Sequence, residues 1–315
     1  MAEFRPFPGL RPKNPEDKDS LAQDGDSFYL LRQETAHGIR TAIIGALKAE
    51  KYSAGNAIQM DGASLKERNA ASKAIRDAGF QSEPVVCISE PLGEFLADLE
   101  GEEMEGTCLR RMSDPDQTKR VAEILGSKRF IVASGAANYE SAMEARSFVL
   151  AALIPSDDPG LNIRAAHRFL DTGSISEKNA IKGISKSMAL TETSVNEMEK
   201  GLPDHMMGLI FKSGACYFAD LQTESAAFML GSYAAQEKIF KAVYKSDEGK
   251  GIISYADCME QAIQAMAEKK HDLAVLLNAP KPEDLWEAAS SGRRIPVRTA
   301  EFPPAIPSDL IRLKI

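Results

Sequence analysis

The stretch from Arg129 to Leu170 determines the architecture of this chain, and it reads RFIVASGAANYESAMEARSFVLAALIPSDDPGLNIRAAHRFL. Its first apolar run, Phe130 to Ala133, is typical of a short buried strand, and Gly135 interrupts the run soon afterwards. Apolar side chains then return at helical spacing, and Phe148 to Ile154 form a second apolar run. That run is too short to span a membrane. The stretch therefore predicts a strand, a glycine turn, a helix and a second strand.

Two polar elements follow the second apolar run. Asp157-Asp158-Pro159-Gly160 is ordinary turn chemistry, although paired carboxylates are also ligands that Mg²⁺ accepts. The pair His167-Arg168 comes next. We expect Arg168 to contact an anion and His167 to act as a catalytic acid or base near neutral pH. The alternative is a buried histidine beside a structural salt bridge.

The composition is that of a soluble globular protein. The chain has 315 residues, of which 43% are hydrophobic and 27% charged, and it can form one large domain or two. Its net charge of -8 argues against sequence-independent nucleic-acid binding, which needs a basic face. The chain starts without an apolar signal segment, so we predict a cytoplasmic protein with no membrane span. The four cysteines lack CxxC spacing and are expected to be reduced.

The central stretch resembles the domain-of-unknown-function 1015 family of bacterial and archaeal proteins. Members of that family have there a strand, the segment Asp-Gly-His-His-Arg-Tyr-Glu-Thr-Ala, a helix, a second strand and a Thr-His-Arg segment. This chain keeps Gly135, Tyr139-Glu140, the Asp157 to Leu161 turn and His167-Arg168. Where the family has His-His-Arg, this chain has Ala136-Ala137-Asn138. The resemblance therefore implies the family's scaffold with altered or lost chemistry.

The resemblance extends over nearly the whole chain. Arg5 to Arg11 is similar to the family's opening Arg-Pro-Phe-x-Gly-Leu-Arg, and Leu276 to Pro280 is similar to its Leu-Leu-Asn-Pro. Gly292 to Pro296 resembles Gly-x-x-Met-Pro, and Arg298-Thr299 stands where the family has Lys-Ser. Two family segments are missing. One is Ala-Pro-Pro-Tyr-Asp-Val, and the other is a His-Glu pair that is replaced here by Asp61-Gly62 or their neighbours.

The family's Gly-His-His-Arg element is similar to one in ParB, sulfiredoxin and free serine kinase. In those proteins a strand–turn–helix unit places a glycine and an arginine at a helix N-terminus that binds phosphate. Exposed amides, the helix dipole and the guanidinium fork all favour an anion there. By this resemblance, Gly135, Asn138 and Glu140 are candidate anion-binding residues. Because Asn138 offers a neutral hydrogen bond in place of a charged pair, the resemblance implies a degenerate active site.

Residues near both ends of the chain are further candidates for ligand contacts. Arg298 and Thr299 would close the other side of a pocket, as the family's Lys-Ser would. Arg5 would reach the same pocket, because a proline-rich arm must dock on the body. No set of side chains has the spacing of a metal site, so no metal ligand is assigned.

These patterns predict an α+β (or α/β) fold with a mixed β-sheet body and surrounding helices, and the resemblance implies a ParB/sulfiredoxin-like element in the middle. We expect residues 1–27 to form an extended N-terminal arm, residues 28–200 a mixed α/β body, and residues 201–315 a C-terminal α+β lobe packed on that body. Helices are predicted over residues 115–125 with Ser113 as the N-cap, and over residues 191–200 and 225–242. A hairpin is predicted over residues 205–221.

The resemblance leaves several functions open. The first hypothesis is a protein that binds a small anionic ligand or a nucleotide, with ATP or ADP and Mg²⁺ as candidate cofactors and small-molecule kinase or phosphotransferase chemistry if it is an enzyme. The second is a catalytically inactive relative that acts as a protein-binding or regulatory subunit. The third is a ParB-like nucleic-acid switch, and the acidic charge argues against it. The sequence leaves the substrate, the pathway and the oligomeric state open.

Overall fold

The computed structural model describes residues 2–14, 17–52, 55–104, 108–171, 175–221, 230–244, 253–292 and 295–315. The chain forms two compact units. Unit 1 comprises Met1–Asn162 and Phe302–Ile315, and unit 2 comprises Ile163–Glu301. The two ends of unit 2 pair with each other, because the amide of Arg164 donates to the Glu301 carbonyl (2.9 Å) and the Glu301 amide donates to the Arg164 carbonyl (2.8 Å). Unit 2 is therefore a closed insertion in the sequence of unit 1.

Unit 1 contains a mixed sheet, in agreement with the predicted α+β class. The strands of unit 1 are β1 (Phe4–Arg5), β2 (Phe7–Asn14), β3 (Asp17–Thr35), β4 (Gly38–Lys48), β5 (Ala57–Gln59), β6 (Phe80–Gln81), β7 (Val85–Ser89), β8 (Glu102–Glu103), β9 (Leu109–Met112), β10 (Phe130–Ser134), β11 (Phe148–Pro155) and β18 (Leu313–Lys314). The main sheet has the order β5-β10-β7-β11-β4-β3-β9-β8, β1 pairs with β4, and β2 pairs with β3. Strands β6 and β18 form a separate antiparallel pair. Strand β10 is parallel to β5 and antiparallel to β7, so the sheet is mixed.

The first two helices of unit 1 begin at polar side-chain caps. The helices of this unit are α1 (Leu65–Ala78), α2 (Pro115–Ser127) and α3 (Ala136–Glu144), with a 3₁₀ turn at Gly93–Leu96. Ser64 and Glu67 form a capping box at the start of α1. The predicted cap of α2 was wrong by one residue: the carboxylate of Asp114, not the hydroxyl of Ser113, accepts the hydrogen bond from the Gln117 amide (2.8 Å). An aspartate suits this position because its charge also complements the helix dipole.

The central strand β11 is buried on both faces. Val149, Ala151 and Leu153 belong to an apolar cluster that also contains Val121 of α2 and Tyr139 of α3. The alternate residues Leu150, Ala152 and Ile154 belong to a second cluster, which includes Ile311 and Leu313 from the C-terminal segment. Since successive side chains of a strand point to opposite faces, helices cover one face of this part of the sheet and the C-terminal segment covers part of the other. This burial explains why β11 reads as a continuous apolar run.

Unit 2 contains an antiparallel sheet. Its strands are β12 (His167–Leu170), β13 (Leu190–Thr193), β14 (Met206–Phe211), β15 (Cys216–Asp220), β16 (Ile253–Ala256) and β17 (Leu273–Leu276). Their order is β13-β15-β14-β17-β12-β16. The predicted hairpin over residues 205–221 is formed by β14 and β15, in which Ile210 pairs with Cys216. All four residues of β12 are buried, so the His167-Arg168 pair lies in the interior of unit 2.

The helices of unit 2 are mostly short. They are α4 (Glu177–Ile184), α5 (Val195–Glu199), α6 (Gly231–Ala234), a π-helical segment (Ala235–Phe240), α7 (Lys241–Tyr244), α8 (Met259–Ala267) and α9 (Pro282–Ser290). The predicted helix over residues 191–200 was wrong in its first half, because Leu190–Thr193 pairs with β15 as strand β13. Ser194 then caps α5 by accepting from the Glu197 amide (3.3 Å). The predicted helix from residue 225 begins in residues 222–229, which lie outside the described residues.

The two units divide the chain differently from the sequence-based boundaries. We expected a division between residues 200 and 201, whereas the compact units divide after Asn162 and after Glu301. The physical reason is the pairing of β12 with β16 and β17, which places residues 167–170 in the sheet of unit 2. In the segment that we expected to form an N-terminal arm, strand β1 pairs with β4 and strand β2 pairs with β3. Within the described residues, no helix combines the length and the apolar character that a membrane span needs.

Candidate functional site

The turn between β10 and α3 places the start of a helix at the end of a strand. Gly135 is the N-cap residue of α3 and has a φ of +80°. A Cβ atom at this position would lie 3.2 Å from the Cα atom of Val85, so both the backbone conformation and the available space favour glycine. The residues from Gly135 to Asn138 are partly exposed. Because the first amides of a helix have no partner within the helix, this turn can receive hydrogen-bond acceptors of an anion.

Asn138 is the third residue of α3 and is half-buried. Its side-chain amide can donate neutral hydrogen bonds toward the open first turn. It supplies no positive charge, so the helix dipole and the backbone amides are the electrostatic attraction that α3 itself offers to an anion. The first turn of α3 also contains no acidic residue that would repel an anion. The arrangement is therefore suited to binding a phosphate group and poorly suited to stabilising additional charge during phosphoryl transfer.

Glu140 is a buried carboxylate that holds the elements next to α3 together. It has a relative exposure of 6%. It accepts hydrogen bonds from Tyr52 (3.4 Å), Gln59 (3.4 Å) and the amide of Ala63 (3.3 Å), and its Oε2 atom lies 3.2 Å from an Nη atom of Arg68. Burial, followed by the charge of Glu140, raises the pKa of the Tyr52 hydroxyl. The carboxylate of Glu140, which we predicted to contact a ligand, thus accepts hydrogen bonds from groups of the protein itself. Through its bond to the amide of Ala63, Glu140 positions the segment between β5 and α1.

Arg5 lies on β1 in the sheet of unit 1. It pairs with Ala46 of β4. Its guanidinium lies 3.6 Å from the centroid of the Phe148 ring, in a cation–π contact. This stacking fixes the side chain of Arg5 on β11. Its predicted contact with a ligand stays a prediction.

His167 is a buried, neutral acceptor in unit 2. Its relative exposure is 5%. The Nδ1 atom accepts a hydrogen bond from the amide of Leu277 (3.1 Å). Burial, with a smaller contribution from the neighbouring Arg168, lowers the pKa of His167 to about 4. The imidazole is therefore uncharged at neutral pH, and one of its nitrogens is engaged with the backbone.

Arg168 is almost completely buried and donates to backbone carbonyls. Its relative exposure is 1%. The guanidinium donates to the carbonyls of Ala166 (2.8 Å), Val297 (3.2 Å) and Arg298 (3.4 Å). It also lies 5.7 Å from the centroid of the Tyr255 ring. These contacts connect β12 to the segment around residue 297, and the predicted contact of Arg168 with an anion stays a prediction.

Arg298 and Thr299 are held in a tight turn of unit 2. Arg298 has a φ of +55°, its guanidinium donates to Asp257 (2.6 Å) and Glu301, and it lies 5.0 Å from the centroid of the Tyr255 ring. Thr299 has a relative exposure of 2% and donates to the Pro296 carbonyl (2.6 Å). The guanidinium groups of Arg168 and Arg298 thus lie near the same aromatic ring, and their predicted contact with a ligand stays a prediction. Thr299 faces a separate cavity.

The paired aspartates bind backbone amides. Asp157 accepts from the amides of Leu92 (3.0 Å) and Gly93 (2.7 Å). Asp158 accepts from the amides of Thr41 (3.0 Å) and Gly160 (2.9 Å), and burial raises its pKa. This geometry is that of a turn. Across the described ranges, no three His, Cys, Asp or Glu side chains are grouped so that they could hold a metal ion.

The sequence profile of a family described as "Protein of unknown function (DUF1015)" matches residues 13–246, which is more than half of the chain. The chain belongs to this family. The profile match spans the α3 turn and the His167-Arg168 pair, whereas Arg298 and Thr299 lie beyond it. The predicted family membership is therefore confirmed. Among curated proteins, none matches the sequence.

Solved structures of free serine kinase have a similar fold to this DUF1015 protein. The chain is 10% identical to a variant of free serine kinase in complex with ADP, with a TM-score of 0.51 over 90% of this chain and 94% of that chain. A second variant, in complex with AMP, is 11% identical with a TM-score of 0.50 over 82% and 88% of the two chains. A conserved hypothetical protein from Pyrococcus furiosus is 13% identical with a TM-score of 0.47 over 82% and 91%. At these identities the likeness concerns the fold alone.

Sequence reasoning on this DUF1015 chain missed two functional candidates. Arg68 of α1 forms ion pairs with Glu140 (3.2 Å) and Glu144 (2.9 Å), and it was not among the predicted site residues. Ser232 lies in a helix, in the first turn of α6, but its contact with Thr299 was not predicted. The chain has no periodic pattern that marks either contact, because both join residues that are far apart in sequence.

Proposed function

We propose that this DUF1015 protein binds an adenine nucleotide through its phosphate groups at the N-terminus of α3. The observation that carries the proposal is the turn at Gly135, which presents a partly exposed first helical turn at the end of β10. A phosphate there would accept hydrogen bonds from backbone amides and from the Asn138 side chain. Solved structures of similar fold are complexes with ADP and with AMP, which supports a nucleotide as the ligand class.

We further propose that this protein binds the nucleotide without efficient phosphoryl transfer. Phosphoryl transfer depends on positive charge that stabilises the transferring group. Asn138 stands where the family pattern has an arginine, and Arg68 is already paired with the carboxylates of Glu140 and Glu144. The expected activity is therefore ligand recognition, with Mg²⁺ carried by the phosphates of the nucleotide when it is present.

Calorimetric titration and thermal unfolding with AMP, ADP and ATP, each with and without Mg²⁺, test the proposal. A nucleotide at about 100 times its dissociation constant would stabilise the fold by about 2.7 kcal/mol. Asn138→Asp places a negative charge beside the phosphate and should abolish that stabilisation. The matched control is Asn179→Asp, because Asn179 occupies the same third position of α4 and is exposed. The proposal fails if no nucleotide binds, or if both variants bind as the original chain does.

A gain of function provides a second arm of the test. Asn138→Arg restores a cation at the third position of α3, and a charge-assisted hydrogen bond to a phosphate adds about 1.5–3 kcal/mol. The nucleotide should therefore bind at least about tenfold more tightly to this variant. ADP release from ATP with a panel of small hydroxylated acceptors would show whether the added charge also restores transfer.

The alternative function is that of an inactive relative that binds a protein partner. The specific observation in its favour is that His167 and Arg168, the expected catalytic and anion-binding pair, are engaged with backbone groups inside unit 2. If no nucleotide shifts the unfolding temperature, this second function becomes the working hypothesis. Cross-linking of the full chain in its native extract, followed by identification of a partner that binds the Gly135 turn, would then be the measurement.

A further inference from the structure

Two cations of unit 1 contact the ring of Phe148, and a third cation lies beside them. The guanidinium of Arg5 lies 3.6 Å from the centroid of this ring, and the ammonium of Lys48 lies 4.9 Å from it. The Lys48 ammonium also donates to the carbonyl of Arg146, so these two residues are neighbours. Arg5 and Arg146 are exposed, whereas Lys48 and Phe148 are half-buried. We call these four residues the Phe148 cluster.

The positive charges of the Phe148 cluster are not neutralised by the chain itself. Among the described residues, its three cations form no ion pair with a carboxylate. The exposed Glu3 lies two residues before Arg5, and within the described part of the chain it is not paired with the cluster either. Like charges that are held close together repel one another, and a bound anion relieves that repulsion. In a chain whose net charge is -8, the cluster is therefore a local site for anions.

A second contact between a cation and an aromatic ring lies on the short sheet of β6 and β18. The guanidinium of Arg312 lies 4.6 Å from the centroid of the Phe80 ring, and Lys314 pairs with Phe80 across the two strands. The side chain of Gln81 donates to the carbonyl of Leu150 (3.4 Å) and accepts from its amide (2.8 Å). These bonds hold β6 beside the part of β11 that carries the Phe148 cluster. The two neighbouring groups of cations suit a ligand with several negative charges.

The guanidinium groups cover the aromatic rings on which they lie. A guanidinium on a ring can still donate from its edge, and its planar fork matches a carboxylate. The contact with the ring also restricts the long side chain before a ligand arrives, so less conformational entropy is lost on binding. Nucleobases bind by stacking on exposed aromatic rings, and Arg5 and Arg312 already occupy a face of Phe148 and of Phe80. The arrangement therefore favours carboxylates over single-stranded nucleic acid.

We infer that this surface of unit 1 binds an acidic peptide segment of a partner protein. Arg5 and Arg146 each pair with a side-chain carboxylate, and Lys48 adds a positive charge that is held by the Phe148 ring. In an extended peptide every second side chain points to the same side. Acidic residues at alternate positions can therefore reach the Phe148 cluster and continue toward Arg312 and Lys314.

Fluorescence anisotropy of two labelled peptides with the full chain tests the inference. The probe peptide alternates glutamate and glycine over eight residues, and the control peptide has glutamine in place of each glutamate. We expect saturable binding of the probe and at least about tenfold weaker binding of the control, because several exposed ion pairs are lost together. Binding of the probe should also weaken at high salt, which screens exposed charges. Equal binding of the two peptides, or no binding of either, would overturn the inference.

Arg146 offers a variant in which stability and binding change in opposite directions. It follows α3 with a φ of +54°, a conformation that favours glycine. Arg146→Gly should therefore keep or raise the unfolding temperature while it weakens the probe about fivefold. Lys269→Gly is the matched control, because Lys269 is exposed and follows α8 with a φ of +56°. The amides of Arg146 and Lys269 each donate to the carbonyl three residues earlier (3.2 and 2.9 Å). Equal binding of the probe by both variants would overturn the assignment to the Phe148 cluster.

A second variant and a second ligand complete the test. Arg5→Gln should weaken the probe by about as much as Arg146→Gly, and unchanged binding would exclude the Phe148 cluster as the site. An oligothymidylate with the same number of charges should bind more weakly than the probe. If it binds as tightly as the probe, and Arg146→Gly weakens it too, the surface serves nucleic acid and the inference is wrong.

This inference and the nucleotide proposal fail separately. Gly135 and Asn138 lie at the start of α3, whereas Arg146 follows its end. Arg146→Gly should leave the binding of ADP unchanged, and Asn138→Asp should leave the binding of the glutamate peptide unchanged. Loss of both ligands in Arg146→Gly, at a retained unfolding temperature, would show one shared anion site and overturn the separate peptide surface.

Discussion

The Nδ1 atom of His167 accepts a hydrogen bond from the backbone amide of Leu277 at 3.1 Å. The two residues lie at the ends of the neighbouring strands β12 and β17, which pair through Arg168 and Val275. The side chain of His167 thus continues the hydrogen-bonded ladder by one step beyond the backbone pairs. An acceptor nitrogen carries no proton, so the neutral ring has its proton on Nε2. A proton on Nδ1 would break this contact, and the fold of unit 2 is therefore linked to pH.

The first prediction concerns the loss of stability in acid. The pKa of His167 is about 4 in the folded chain and 6.5 in an unfolded chain, so the unfolded chain binds more protons between these values. The free energy of unfolding is therefore fully maintained above pH 6.5 and falls as the pH falls toward 4, by about 3 kcal/mol in total from this residue. Urea unfolding at pH 7, 5.5 and 4 measures the change.

The variant His167→Gln separates the loss of stability that is due to His167 from the loss that is due to protonation of carboxylates. Glutamine cannot take up a proton, so the variant should be less stable at pH 7 and should lose less stability on acidification than the original chain. His37→Gln is the control, because His37 is an exposed histidine in the turn between β3 and β4. The same pH dependence in all three chains would show that His167 does not titrate as its burial implies.

The second prediction concerns the buried guanidinium of Arg168. Arg168→Met removes the donor to the carbonyls of Ala166, Val297 and Arg298, so the buried carbonyl of Ala166 and the two partly buried carbonyls lose this hydrogen bond. We expect the free energy of unfolding to fall by about 2–4 kcal/mol. Arg168→Lys keeps the charge and loses the planar fork, so it should recover only part of the stability. Chemical unfolding of both variants is the measurement, with the exposed Arg76→Lys of α1 as the control.

The nucleotide affinity of Arg168→Lys distinguishes a structural role of Arg168 from its predicted role as a ligand contact. If its function is structural, Arg168→Lys should bind nucleotide with unchanged affinity at a temperature well below its unfolding midpoint. A loss of affinity at full folding would instead assign the guanidinium to the ligand. Titration of the folded variant distinguishes the two.

The third prediction concerns the glycine at the start of α3. Gly135→Ala introduces a Cβ atom both at a φ of +80° and 3.2 Å from the Cα atom of Val85. Gly79→Ala, at the end of α1, introduces it at a φ of +76° with no atom within 4 Å. Both variants should lose about 1 kcal/mol from the backbone conformation. Gly135→Ala should lose more of the free energy of unfolding than Gly79→Ala, because the contact with Val85 adds to the cost of the backbone conformation. Chemical unfolding of both variants measures this difference, and equal losses would contradict the packing argument.

The fourth prediction compares the two carboxylates that flank Arg68. Glu140→Gln removes the charge of a carboxylate whose side chain is 7% exposed, and it should cost about 1–3 kcal/mol of stability. Glu144→Gln removes the partner that is 53% exposed, and it should change stability by no more than about 0.5 kcal/mol. Hydrogen exchange at the amide of Ala63, which donates to Glu140, should accelerate only in the first variant. Similar effects of both substitutions would show that burial does not separate their contributions.

Sequence reasoning predicted the elements whose signals are local. Strand β10, the Gly135 turn, helix α3 and strand β11 follow one another as expected, because a buried strand, a left-handed glycine and helical spacing each leave a mark in a few neighbouring residues. The segment Leu190–Thr193 shows where this reasoning failed. Its Leu-Thr-Glu-Thr sequence is short and polar enough to extend a helical pattern, and only its pairing with β15 makes it a strand.

The candidate site was less predictable than the fold. The residue types His and Arg at 167 and 168 are compatible with a catalytic surface and with a buried strand, and the sequence does not say that both faces of β12 are covered. The boundary between the units was missed for the same reason, since the partners of β12 are residues 253–256 and 273–276. Ser232 and Thr299 are 67 positions apart, so their contact has no local signature.

The insertion of unit 2 into unit 1 has a consequence for the order in which the protein is made. The segment from residue 302 onward supplies the carbonyls of Phe302 and Pro304 to the buried Arg40, and its last strand β18 pairs with β6. These partners leave the ribosome after the whole of unit 2. During translation, unit 2 can complete its sheet and join its two ends at Arg164 and Glu301 while unit 1 still lacks part of its core. The nascent chain therefore completes the unit that it began first only after the whole of unit 2 has been made, so the folding of unit 1 depends on a segment that follows the insertion.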